Sequence, residues 1–146
     1  MNIFRKISLL LLLVSTIPAY AASIISIEKW MIEHANDNPE YIASYMSKRC
    51  SATFMVVAKI FGEKEKNVFD RMVNYATDLQ NQAVYIDNEK NNSSLLETAD
   101  LVQGDVKRIF DILWENAEDS YAKTGVYLAP IQEDLGYCRL FVGDEN

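Results

Sequence analysis

The stretch NPEYIASYMSKRCSATFMVVAKIFG, residues 38 to 62, carries the reading of the fold. Ile42, Tyr45, Met46, Arg49/Cys50, Thr53/Phe54, Val57 and Phe61 recur every three or four residues, the period at which side chains share one helix face. Both ends of the run are marked. Asn38 is a suitable N-cap, and Pro39 fits the first helical position, where its missing N–H costs nothing. Glu40 sits against the positive end of the helix dipole, and Gly62 is a natural stop. The spacing predicts a long helix over 39–61 with Cys50 inside its apolar stripe and the sulfur directed inward.

Similar patterns lie on both sides. Downstream, Val68, Met72, Tyr75/Ala76, Leu79, Ala83 and Ile86 predict a helix from about Glu63 to between Ile86 and Asn88. The polar run Asp87 to Ser94 reads as a loop. Ser94 to Glu97 has the S/T-x-x-E form of a capping box. It opens a further stripe of Leu95, Ala99, Val102, Val106, Ile109/Phe110, Leu113 and Ala117, ending by Thr124-Gly125. Gly104 lies inside that helix at a cost of about 1 kcal/mol relative to Ala. Upstream, Ile27, Trp30, Met31 and His34 share a face in a short helix over 26–35. The segment Val126 to Phe141 is apolar and aromatic, and Pro130 would open a short helix carrying Cys138. No segment shows sustained two-residue alternation. The expected fold is all-α: a small up-and-down bundle of three long helices, with a short N-terminal helix and a C-terminal helical tail. Short connections make sequential helices antiparallel.

The chain opens differently. Met1 to Lys6 carries Arg5 and Lys6 and no acid, and Ile7 to Ile17 is an apolar run of 11 residues with five consecutive leucines. Pro18 and Ala19-Tyr20-Ala21 close it. Basic start, apolar centre and small-x-small end are the parts of a secretory signal, with cleavage expected after Ala21. The run is too short for a hydrocarbon core of about 30 Å, which takes about 20 helical residues. The expected organisation is a signal peptide over 1–21 and one helical domain over 22–146. The destination is a periplasm or the outside of the cell, with no stable membrane span after cleavage.

Export bears on the two cysteines. Cys50 and Cys138 would meet an oxidising compartment, and two cysteines allow one intramolecular pairing. No C-x-x-C spacing marks a redox pair, so the expectation is a structural disulfide that holds the tail on the second helix. Formal net charge is −7, and loss of Arg5 and Lys6 with the leader makes it −9. Nucleic acid and anionic membrane both call for a basic surface and are set aside as partners.

Chemistry-bearing patterns are few. Read as a calcium loop from Asp87, the polar run supplies Asp87, Glu89, Asn91 and Ser93, but position 9 is Leu95. Position 6 is Asn92 rather than Gly, and position 12 is Thr98, with Glu97 one place early. The closing bidentate carboxylate is missing, and the run reads as a polar connection. His34 is the only histidine, and Glu33 precedes it directly, unlike the Glu-x-x-His of di-metal bundles. A haem held by His34 with Met46 or Met72 has no support in the spacing. G-x-S-x-G and Gly-rich phosphate loops do not occur. Glu115, Glu118 and Asp119, with Lys123 one turn on, fit an exposed helix face. Asn91 and Asn92 fall in N-x-[ST] patterns that matter only in a eukaryotic secretory route. Tyr41, Tyr45, Tyr121, Tyr127 and Tyr137 fall near helix ends or in the tail, where they cap a core. No catalytic, cofactor-binding or metal-binding residue is expected. The expectation is an exported protein with a protein-interaction, envelope-accessory or inhibitor-type role. The alternative is a small-molecule or metal-binding bundle; a carboxylate-based enzyme comes last.

Overall fold

In the computed structural model, which describes residues 24–91, 93–128 and 131–144, the chain is all-α. The expected signal peptide lies outside the described residues. Helix α1 spans Ile27–Glu33 and α2 spans Pro39–Phe61. A 3-10 turn over Gly62–Glu65 leads into α3, Lys66–Lys90. Helix α4 runs over Leu95–Thr124 and α5 over Gln132–Phe141.

The predicted caps form. Asn38 Oδ1 accepts from the Glu40 N–H at 2.8 Å, with Pro39 in the first turn. Ser94 Oγ accepts from the Glu97 N–H at 3.2 Å. Gly125, at φ 75°, closes α4 in the left-handed conformation that glycine adopts without strain. Two boundaries depart from expectation. The 3-10 turn delays α3 to Lys66. Residues 87–90, read as loop, form the last turn of α3 instead. Asp87 is anchored there because its carboxylate accepts from Ser44 on α2 at 2.6 Å.

Helices α2, α3 and α4 form an up-and-down set. Ser44 meets Asp87 and Ser51 meets Ala76, so α2 and α3 run antiparallel. Lys48 meets Asp105 and Lys59 meets Trp114, so α2 and α4 run in the same direction. Helices α5 and α1 cover the N-terminal half of α2 from another side. The expected stripe understates α2. From Met46 to Ala58, every residue but Lys48 and Met55 is buried. A helix covered nearly all round is a central helix rather than one wall of a symmetric bundle. Its hydroxyls are satisfied locally or across the packing. Ser47 donates to the Ala43 carbonyl, Thr53 to the Arg49 carbonyl, and Ser51 to the Ala76 carbonyl of α3 at 2.8 Å.

Cys50 and Cys138 are joined by a disulfide across a sequence separation of 88, with both residues fully buried. The tail folds back onto α2 as expected. Ile27, Phe54, Val102, Leu113 and Ile131 fill the core around it.

Candidate functional site

Three arrangements stand out, and they differ in what they leave accessible. The first is internal. Arg49, which the sequence pattern places in the apolar stripe, is 2 % exposed, as is Asp134 of α5. Arg49 Nε donates to Asp134 Oδ2 at 2.8 Å, and Nη2 donates to the same oxygen. Nη2 also donates to the Ile25 carbonyl at 3.1 Å. Asp134 Oδ1 accepts from the Ile27 N–H at 2.9 Å, satisfying a first-turn donor of α1. One carboxylate thereby joins α1, α2 and α5. Arg49 Nη1 has no hydrogen-bond partner among the described residues. Burial raises the Tyr45 hydroxyl above its ordinary pKa, and the neighbouring Arg49 guanidinium only partly offsets this. The pair is sealed from solvent, so its role is to fix the packing.

The second is a pocket of about 440 Å³ between α2, α3 and α4, lined among others by Tyr41, Tyr45, Ile109 and Ile112. At its base, Lys48 Nζ lies 2.6 Å from Asp87 and 3.0 Å from Asp105. Ser44 donates to Asp87, and Arg108 pairs with Asp105 at 2.5 Å. Burial would depress the Lys48 ammonium. Hydrogen bonds to Asp87 and Asp105, together with their charges, outweigh it and hold the pKa above the ordinary lysine value. Lys48 stays protonated and both carboxylates act as acceptors for it. The cluster is a closed ion network with apolar walls above it.

The third is an apolar groove of about 760 Å³ between α1, α2 and α5. Met31 and Ile32 of α1, with Ala35 in the turn that follows, form one wall, Ile42 and Met46 of α2 the floor, and Tyr137, Leu140 and Phe141 of α5 the other wall. Ile32 is 71 % exposed and Leu140 68 %, and they border one contiguous apolar concavity. Glu28 is the charged residue in the lining.

The residues singled out by the sequence pattern fall as follows. His34 is the C-cap residue of α1; its Nδ1 lies 2.9 Å from the Trp30 carbonyl and its ring stacks on Trp30 at 4.2 Å. Tyr45 stacks on Trp30 at 3.9 Å. Met72 is in the core and Met46 lines the groove. Asp87 is helical and engaged by Ser44 and Lys48, so the calcium-loop geometry is not formed. Among the described residues, no three His, Cys, Asp or Glu side chains converge as metal ligands. Glu115, Glu118 and Asp119 lie on the exposed face of α4, with Asp119 paired to Lys123 at 2.5 Å. Tyr121 and Tyr127 stack at 4.0 Å beside Trp114, whose ring carries the Lys59 ammonium 3.7 Å from its centroid.

The pattern reading missed Arg49–Asp134, although a signal was present. Arg49 adjoins Cys50, and Asp134 lies one helical turn before Cys138, so the disulfide brings the two charges together. It also missed the groove, because Ile32 lies off the face given by Ile27, Trp30, Met31 and His34, and Leu140 lies in a tail read only as apolar and aromatic. No helix among the described residues is long and apolar enough to cross a membrane. Comparison with protein-family models, with curated proteins and with solved structures finds no match for this chain.

Proposed function

We propose that the chain is an exported protein-interaction module, serving an accessory or inhibitor-type role in a periplasm or outside the cell. The observation that carries this reading is the groove between α1, α2 and α5. Its walls expose Ile32 and Leu140 to solvent, although both would gain from burial, at about 1.5–3 kcal/mol per aliphatic side chain. A concave apolar site with exposed anchors fits a partner that covers them. Export is supported by the leader pattern of residues 1–21 and by the Cys50–Cys138 disulfide, which is compatible with an oxidising compartment. The acidic balance of the chain favours a protein partner over nucleic acid or an anionic lipid surface.

The test is a comparison of baits in the exported protein fraction of the producing cells. Wild type recovers a stoichiometric partner and Leu140→Asp does not, whereas Leu101→Asp, on exposed α4, recovers it. Recovery of nothing, or equal recovery by Leu140→Asp, overturns the reading. Mass analysis of the exported chain should give an N-terminus at Ala22.

A second reading, a small-molecule-binding bundle, is favoured by the pocket above Lys48, where apolar walls meet converged polar groups. A ligand-dependent rise in melting temperature that is absent in Lys48→Met supports it, and a panel of small polar metabolites without any shift counts against it.

A further inference from the structure

We infer that the groove takes a short amphipathic helix with basic flanks, presented by a protein partner; this rests on the interaction reading above. The dimensions point to a helix. The lining row on one side runs from Glu28 on α1 to Ala35 in the turn after it, and the row on α2 spans residues 39 to 46. The α2 row covers two helical turns, about 10 Å at the α-helical rise. A helix presenting apolar anchors at i, i+3 or i+4, and i+7 spans the same distance. The groove is open along one side rather than enclosed, which suits a laid-in helix better than an engulfed small molecule. Met31 and Met46 lend it adaptable walls.

The charge around it points to the flanks. Glu28 lines the groove. Glu133 stands one turn before Tyr137 on the same face of α5 and is exposed. Asp37 lies in the turn between Ala35 and Pro39, both lining residues. None of these three acids has an ion-pair partner among the described residues. Lys29 is the nearby base on α1, and Arg139 is matched with Asp144 at 3.5 Å. Basic residues at either end of a docked helix would pair with this rim. A second copy of the chain would instead set the same acids against each other. It would also have to cover about 800 Å² per partner for a stable interface, more than one short groove offers.

Two 14-residue synthetic peptides test this on the full disulfide-bonded chain by fluorescence anisotropy. Both carry leucine at spacings of three and four on one face; one has lysine at all other positions and the other has glutamate. The Leu/Lys peptide should bind at least tenfold more tightly, and Leu140→Asp should abolish that binding while Leu101→Asp leaves it intact. The double variant Glu28→Lys/Glu133→Lys should shift preference by about tenfold toward the Leu/Glu peptide. Equal binding of both peptides, lost in Leu140→Asp, overturns the basic-partner inference and leaves the groove as a docking site. Leu/Lys binding that survives Leu140→Asp is a diffuse charge effect and overturns both. Circular dichroism of each variant checks that the helices are kept.

Discussion

At the scale of single residues, Arg49 and Asp134 make opposite demands on the fold. Two buried charges lose their hydration, and their mutual attraction only roughly offsets the loss. Removing one partner is therefore worse than removing both. Asp134→Leu leaves a buried guanidinium without its anion and also strips the Ile27 N–H of its acceptor. It should cost about 3–5 kcal/mol in urea unfolding with the disulfide intact. The double variant Arg49→Met/Asp134→Leu should be more stable than Asp134→Leu alone. If the double variant is less stable than Asp134→Leu, Arg49 contributes through contacts other than Asp134, such as its hydrogen bond to the Ile25 carbonyl. Gly104 offers the reverse case. It is an exposed residue inside α4, with nothing within 4 Å of where a Cβ would stand. Gly104→Ala should raise stability by about 0.5–1 kcal/mol, read as a shift in urea midpoint at constant slope. The glycine was readable from sequence as a helix-interior cost. The ion pair was not, because a one-dimensional stripe does not say whether a cation at its edge faces water or a partner 85 residues away.

At the scale of elements, the helices were legible in proportion to their length and capping. Helix α2 matches its predicted limits because Asn38-Pro39 and Gly62 define both ends chemically. The end of α3 was misplaced because Asp87, Asn88, Glu89 and Lys90 carry a loop composition, yet tertiary partners on α2 hold the first of them helical. Helices α1 and α5 are seven and ten residues long. Isolated helices of that length are marginal in water, so both depend on what they dock against. Asp134 joins them to each other and to Arg49, and Cys138 fastens α5 to α2. Reducing the disulfide should therefore act unevenly. Chain entropy for a separation of 88 gives an upper expectation of about 4–5 kcal/mol lost. Hydrogen exchange should show α1 and α5 losing protection first while α2, α3 and α4 keep theirs. Uniform loss across all five helices would mean that the bundle has no independent three-helix centre. Thiol titration of the unfolded, unreduced chain should find no free thiol.

At the scale of the whole molecule, Lys48 is the counterpart of Asp134. It ties α2 to α3 through Asp87 and to α4 through Asp105, as Asp134 ties α2 to α1 and α5. The lane of α2 that holds Lys48 and Met55 is the one interruption in its burial between Met46 and Ala58, so the network closes the bundle where apolar packing is incomplete. This dependence has a pH signature. The folded state holds the Lys48 proton more tightly than the unfolded chain does, because its carboxylate partners outweigh the cost of burial. A raised folded pKa means that the stabilisation is fully present below the unfolded value, about 10.5 for lysine, and fades as pH climbs through the folded value. The Tyr45 hydroxyl, raised by burial, acts with the same sign from about pH 10. Urea midpoints should thus be flat between about pH 7 and 9 and fall above about pH 10. Lys48→Met should be less stable than wild type at about pH 8 by about 1–3 kcal/mol, since Asp87 keeps its burial and loses its cation. The gap between the two curves should narrow by about pH 11, because wild type loses there what the variant never had. A gap that stays constant over that range would place the stabilisation in the methylene packing of Lys48 rather than in its charge. The three-helix seam would then be held by apolar contact after all.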